Sequence, residues 1–291
     1  MAVTRNGDPV KVLVTGAGGG VGSLAAHRLE QEGHSVTRTD RGPRPTALGS
    51  EARYAQVDLC DFGQVAWLVD GHDVIVHCAA IADPTAHPAT VVFGNNVTST
   101  FNIAHAAGMA GVVRIVNLSS ETVLGFHYAT APDIPAHLPL SESSPTLPRD
   151  PYGLSKVIGE SILDSAAAGG LSAISLRPSW VQYPNTYAQN LGQIARDASL
   201  PSSNLWSYTD GEDLVDAIVL ATIVPLVGHR AVFVVNPDSV GGYDLGDQIE
   251  RHFGHTVTFD AGRDRSASAI DSGLAAEVLG WVPTRTWHDY L

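Results

Sequence analysis

The sequence predicts a doubly wound α/β fold, a parallel sheet with helices on both faces, and three observations predict it. Short β-branched runs alternate with Ala-rich helical stretches, several runs are apolar on both faces, and a glycine-rich turn joins the first run to the first helix. Strands that lack a polar face belong in a parallel sheet covered on both sides. Strand-helix alternation then implies right-handed crossovers.

In chain order, strands are expected at Val10–Thr15, His34–Arg38, Tyr54–Val57, Val74–Cys78, Val112–Leu118, Leu171–Arg177 and Ala231–Val235. Helices are expected at Gly22–Gln31, Phe62–Leu68, Asn96–Ala107 and Pro151–Ala168. The longest apolar run, Leu214–Val227, is shorter than the roughly 20 residues that span a bilayer. It contains Asp216 and Pro225 and reads as a buried helix, with or without a strand beyond. After Pro178 the rhythm breaks, with Pro184, Pro201 and Pro225 among aromatic and polar residues. The expected division is a loosely ordered N-terminus over 1–9, a main domain over 10–178, and a smaller lobe over 179–291. A strand near 231–236 returns from the lobe to the main sheet.

Composition bounds the function. Of 291 residues 44% are hydrophobic and 16% charged, as in a globular protein, and 17 basic against 30 acidic residues give a charge of −13. Such a surface repels phosphate backbones and anionic lipids, so neither nucleic acid nor membrane is an expected partner. Cys60 and Cys78 have no C-x-x-C spacing and fit a reduced cytoplasm. The 12 histidines show no metal-ligand spacing, and no metal is expected.

The first turn reads Thr15-Gly16-Ala17-Gly18-Gly19-Gly20-Val21-Gly22. Glycines between a strand and a helix let a diphosphate approach the positive helix end, so this is a dinucleotide site. Asp40, about 20 residues on, is placed to accept hydrogen bonds from adenosine ribose hydroxyls and to repel a 2′-phosphate. NAD is therefore the expected cofactor, with Arg38 and Arg41 close enough to leave NADP open.

Asp150-Pro151 opens a helix as N-cap and first residue, which puts Tyr152 and Lys156 one turn apart on one face. A phenol is a poor base at neutral pH, but a nearby ammonium and an oxidised nicotinamide favour the phenolate. The pair becomes a general acid/base beside a hydride acceptor. The strand end Val116-Asn117-Leu118-Ser119-Ser120 delivers hydroxyls to the same sheet edge.

With these motifs assembled, the chain resembles the extended short-chain dehydrogenase/reductases, which include NAD-dependent sugar epimerases and dehydratases. The resemblance rests on Thr15–Gly22, Val57-Asp58-Leu59, His77-Cys78-Ala79-Ala80, Asn96-Val97, Leu118-Ser119-Ser120, Tyr152–Lys156, Leu176-Arg177-Pro178 and Leu279-Gly280-Trp281-x-Pro283. It implies a Rossmann domain in which Gly16, Gly19, Gly20, Val21, Gly22, Asp40, Asp58, Leu59, Ala79, Ala80, Asn96, Leu118, Tyr152, Lys156 and Pro178 hold NAD. Ser120 would orient the substrate hydroxyl, with Ser119 the alternative one register away and Thr122 a second polar wall. Ala82, Glu121, His127 and Trp180 are the remaining substrate candidates. Tyr128, Trp206 and Tyr208 fall where the family builds its pocket, or are simply core or rim.

Departures narrow the substrate. An asparagine that grips the diphosphate in nucleotide-sugar enzymes is Trp180 here, either a substrate contact or a packing residue between lobes. Ser120-Glu121-Thr122 fills only the first of the two acid positions of the dehydratases. Glu121 either assists the chemistry or faces solvent. Uronate dehydrogenases hold their carboxylate with an arginine after a Pro-Asn-x-Tyr segment, whereas Pro184-Asn185-Thr186-Tyr187 precedes Ala188. The expected protein is a cytoplasmic, homodimeric NAD-dependent oxidoreductase acting on a secondary alcohol or ketone of a small sugar-like molecule. The alternatives are a nucleotide-sugar epimerase and a non-catalytic NAD-bound regulatory module.

Overall fold

The computed structural model describes residues 9–85, 87–128 and 134–291, so the expected loose N-terminus, except Pro9, lies outside the described residues. The elements run β1 (Lys11–Thr15), α1 (Gly20–Gln31), β2 (Ser35–Asp40), β3 (Arg53–Gln56), α2 (Phe62–Val69), β4 (Val74–His77), α3 (Ala89–Ala110) and β5 (Arg114–Leu118). A 3-10 turn (Glu121–Leu124) follows, then β6 (His137–Leu138), α4 (Pro151–Ala168), β7 (Ser172–Pro178), β8 (Val181–Gln182), α5 (Tyr187–Asn190) and α6 (Gly192–Arg196). The chain continues through β9 (Thr209–Asp210), α7 (Gly211–Ile223), β10 (His229–Val234), α8 (Leu245–Phe253), β11 (Thr258–Phe259) and α9 (Gly273–Leu279).

Seven strands form one parallel sheet in the order β10-β7-β5-β4-β1-β2-β3. The period of two explains its two cores. On β1, Val12 and Val14 join Ala25 and Leu29 of α1 and Leu214 of α7 in one core. Leu13, between them, joins Val65 of α2, Ile103 of α3 and Leu163 of α4 in the other. A third cluster, with Trp206, Tyr208, Leu245, Ile249 and Trp287, holds the residues after β7 together.

Most boundaries fall within two residues of the sequence expectation, and two regions differ more. The helix expected from Asn96 begins at Ala89, and the run Leu214–Val227 divides into α7, which starts at Gly211, and the approach to β10. Asp210 caps α7 by accepting from the backbone of Glu212 and Asp213. The Leu279-Gly280-Trp281 segment anchors the same helix, because the Trp281 indole donates to the Asp213 carbonyl at 2.8 Å. The sheet order reverses at β1, which pairs with β2 on one side and β4 on the other. Ligands of open α/β sheets bind outside the carboxyl ends of the strands at such a reversal.

Candidate active site

At the carboxyl end of β1 the glycine turn is shaped by close approach. Gly16 has φ +66°, and a Cβ there would stand 2.7 Å from the Ala79 nitrogen. A Cβ on Gly22 would come within 2.3 Å of the Gly16 carbonyl oxygen. Only bare backbone fits at either place. Gly19 is the N-cap of α1 and no side chain caps the helix, which leaves a backbone cradle suited to an anionic diphosphate.

Beside the turn lies a cavity of about 170 Å³ lined by Gly16, Gly19, Asp40, Asp58, Leu59, Ala79 and Ala80. Arg41 and Cys78 complete its wall together with Asn95 and Ser99, which the sequence did not single out. Asp40 sits at the end of β2 and accepts from Gly18 N at 3.0 Å and Gly42 N at 3.1 Å. Asp58 accepts from Cys60 N at 2.9 Å. Arg38 is buried and forked onto Glu30, with one of its two bonds at 3.0 Å, so it faces away from this cavity while Arg41 lines it. Asn96 does not line it. Its amide donates to the Ile81 carbonyl at 3.0 Å and the Ser155 hydroxyl at 3.2 Å, and it accepts from Ile81 N at 2.8 Å. Asn96 thereby ties the cavity wall to α4.

A second cavity, of about 350 Å³, continues from the first through Gly16, Gly19, Cys78 and Ala80. Gly20, Val21, Gly22, Leu118, Tyr152 and Pro178 line it, as do Ser120, Thr122, Ala82, Glu121, His127 and Trp180. The local sequence explains the meeting of Tyr152 with Ser120. Asp150 caps α4, accepting from Tyr152 N and Gly153 N at 2.9 Å each. A Cβ on Gly153 would lie 2.6 Å from the Thr122 carbonyl oxygen, so glycine lets the helix start press onto the 3-10 turn. Lys156 is buried, donates to the Leu118 carbonyl at 2.6 Å and lies 5.3 Å from the Tyr152 ring centroid.

Both serines line the cavity, but their partners differ. Ser119 donates to Glu160 at 2.6 Å, and Glu160 is gripped by Arg177 at 2.9 and 2.7 Å. Ser120 hydrogen-bonds the Tyr152 phenol and accepts from Thr122 N at 3.2 Å. Glu121 is buried rather than solvent-facing, and Trp180 is 37% exposed on the cavity wall rather than packed between lobes. Trp206 and Tyr208 are buried in the third core and do not line the cavity. His127 lines it, bonded through Nδ1 to the Ser203 hydroxyl at 3.1 Å, with Tyr128 edge-on beside it. Tyr183 and Ser179 also line it without having been read from the sequence. A Cβ on Gly20 would meet the Tyr183 hydroxyl at 2.3 Å, a contact between segments 163 residues apart that no local pattern announces.

Burial dominates the electrostatics. It holds the Tyr152 phenol above its ordinary value, with Ser120 pulling the other way and Tyr128, Asp150 and Glu121 adding to the rise. The Lys156 ammonium lies 5.3 Å from the ring centroid and donates to the Leu118 carbonyl. Burial lowers Lys156 to about 8, with Cys78 and Glu160 opposing. It lowers His77, bonded to Thr15 at 2.9 Å, to about 3, so that imidazole is neutral. It raises Glu121 to about 8.

The model of the NAD dependent epimerase/dehydratase family matches residues 12–224. A uronate dehydrogenase from Pseudomonas putida is 29% identical over 92% of this chain and 91% of its own length. A UDP-glucose 4-epimerase from Corynebacterium glutamicum is 28% identical over 95% and 92%. Among solved structures, a short-chain dehydrogenase/reductase superfamily protein from Agrobacterium tumefaciens with bound NAD superposes with a TM-score of 0.70. It is 24% identical over 96% of this chain and 94% of its own. From the glycine cradle, the Tyr152–Lys156 pair and the match over most of its length, the chain belongs to the NAD dependent epimerase/dehydratase family and is an enzyme that works with NAD.

Proposed function

We propose that this protein is an NAD-dependent dehydrogenase of a small sugar-like substrate, oxidising a secondary alcohol or reducing the ketone with Tyr152 as acid/base. The observation that carries the reading is the meeting of Tyr152 and Ser120 on the cavity that adjoins the glycine cradle, with Lys156 behind them bonded to the wall residue Leu118. The cradle, Asp40 and Asp58 fit an adenine dinucleotide, with the diphosphate at the start of α1 and the ribose hydroxyls at Asp40. When bound, NAD supplies a hydride acceptor. The carbinol C–H bond breaks as hydride leaves, the hydroxyl proton passes to Tyr152, whose ionised form the positive ring of bound oxidised NAD would favour against the effect of burial, and the products are the carbonyl compound, NADH and a proton. Ser120 orients the substrate oxygen. Lys156 braces the ring and the ribose of the cofactor.

A cavity of about 350 Å³ stands at the low end of the roughly 300–1,000 Å³ common for ligand sites, which supports a small substrate. The epimerase reading is supported by the Corynebacterium relative. The two separate in one assay. Net NADH with a free sugar supports the dehydrogenase, whereas a UDP-sugar that equilibrates without NADH supports the epimerase.

We further infer a cytoplasmic homodimer. Phe101, His105, Gly108 and Met109 of α3 form an exposed strip beside Ile158 and Ile162 of α4, a surface suited to a four-helix interface. Leu163 and Ala104 of the same two helices lie in the core. Two free cysteines support a reduced compartment, and no helix of the described residues is long and apolar enough to cross a membrane. Light scattering at micromolar protein should give a dimer; a monomer would remove the proposal.

A further inference from the structure

We propose that the substrate is an uncharged polyhydroxylated molecule held by Glu121 and Thr122, and that carboxylated and phosphorylated sugars are excluded. This rests on the dehydrogenase reading and adds the substrate's charge to it.

The first observation is a missing counter-charge. Among the described residues that line the substrate cavity there is no lysine or arginine. The chain has two lysines. Lys11 is at the amino end of β1, opposite the site, and Lys156 donates to the Leu118 carbonyl. Arg177, which precedes the wall residues Pro178, Ser179 and Trp180, is buried against Glu160. Arg41 lines the other cavity. Residues 129–133, outside the described residues, read Ala-Thr-Ala-Pro-Asp and carry no cation. The amides at the start of α4 already bind the Asp150 carboxylate, and those at the start of α1 are the ones assigned to the cofactor diphosphate. Burial lowers His127, which keeps it neutral. A carboxylate or phosphate would thus be desolvated here without a partner, beside two acids, which is strongly unfavourable.

The second observation is a pair of unmatched polar atoms. Glu121 Oε2 and Thr122 Oγ1 are buried without hydrogen-bond partners, and both residues line this cavity. Buried polar atoms are almost always satisfied, so two orphans side by side at a cavity point to a ligand. A carboxylic acid and a hydroxyl each donate and accept, which matches neighbouring hydroxyls of a sugar or cyclic polyol. Glu121 is positioned by a hydrogen bond with Ser179, to which Asn204 donates at 3.5 Å. Asn204 is followed by Leu205 and Trp206 at φ +54° and +57°, a conformation that bulky residues rarely adopt. The smaller lobe therefore fixes the acid that reads the substrate.

The test is calorimetric titration of the NAD-loaded protein at pH 7 with D-glucose, D-galactose and myo-inositol against D-glucuronate, D-galacturonate and glucose 6-phosphate, with NADH absorbance read in parallel. At least one neutral member should bind ten or more times tighter than its anionic counterparts, the sugar and cyclitol arms telling which polyol is preferred. Glu121→Ala and Thr122→Val should each weaken that binding about fivefold or more while leaving NAD affinity unchanged. Equal or tighter binding of an anion, no neutral binding at millimolar concentration, or unaltered binding in both folded variants would overturn the inference. The two readings fail separately. A uronate that yields NADH removes the neutral-substrate inference and keeps the dehydrogenase, whereas a neutral sugar that binds without yielding NADH does the reverse.

Discussion

The two cavities that meet at Gly16 and Cys78 are built from different materials. The cofactor side is centred on a backbone turn, Gly16 and Gly19, and is closed by residues that end or follow the next strands of the sheet, Asp40 and Arg41, Asp58 and Leu59, and Ala79 and Ala80. The substrate side shares the glycine turn and adds side chains drawn from the turn after β5, the start of α4 and the segment after β7, and two of its buried polar atoms have no partner. A backbone cradle recognises what all dinucleotides share. A wall of separate side chains recognises one substrate, and can be rebuilt without disturbing the cradle.

The largest effect should come from the residue proposed to serve both sides. Lys156→Ala is expected to lower turnover on the order of 10²–10⁴-fold, as for loss of an acid/base partner, and also to weaken NAD binding. Steady-state rates together with NAD titration check it, and intact NAD affinity would confine Lys156 to the substrate side. Gly16→Ala should injure the cradle first. With φ +66° and Ala79 N 2.7 Å from the new Cβ, strain on the order of 1–3 kcal/mol should lower the melting temperature and weaken NAD at least about tenfold. Unchanged NAD affinity in a folded Gly16→Ala protein would break the distinction between the cavities. Asp40→Ala should reduce the preference for NAD over NADP about tenfold, read by titrating both, because it removes the ribose acceptor and the 2′-phosphate's repeller.

The smallest effect concerns the substrate side without substrate. Glu121 rises from 4.5 to about 8 on burial, so between those values the folded chain keeps a proton that the unfolded chain has released. Its stability contribution is full below pH 4.5 and fades as pH rises through about 8. Glu121→Gln removes this dependence. Its melting temperature relative to the parent protein should therefore be higher at pH 8.5 than at pH 5, by scanning calorimetry at both.

Legibility in the sequence follows the same division. The parallel sheet was readable because β1, β5 and β7 bury both faces, and the glycine turn because strand, glycines and helix are contiguous. The start of α3 was not, because Thr90, Val91, Val92 and Phe93 favour a strand and Asn96 resembles a cap. In the structure that asparagine lies inside the helix and bonds across to Ile81 and Ser155. The two-residue strands β6, β8, β9 and β11 carry no periodicity at all. Tyr183 and Ser179 escaped notice because their relation to Gly20 and Glu121 exists only in three dimensions. Spacing puts Lys156 on the same helix face as Tyr152 but does not say that its ammonium lies 5.3 Å from the ring centroid and binds Leu118.

The central claim is that Tyr152 transfers the proton, and Tyr152→Phe tests it most directly once a turned-over sugar is in hand. NAD affinity by titration should match the parent protein, while kcat falls on the order of 10²–10⁴-fold at saturating substrate. A kcat close to that of the parent protein, with NAD still bound, would contradict the account.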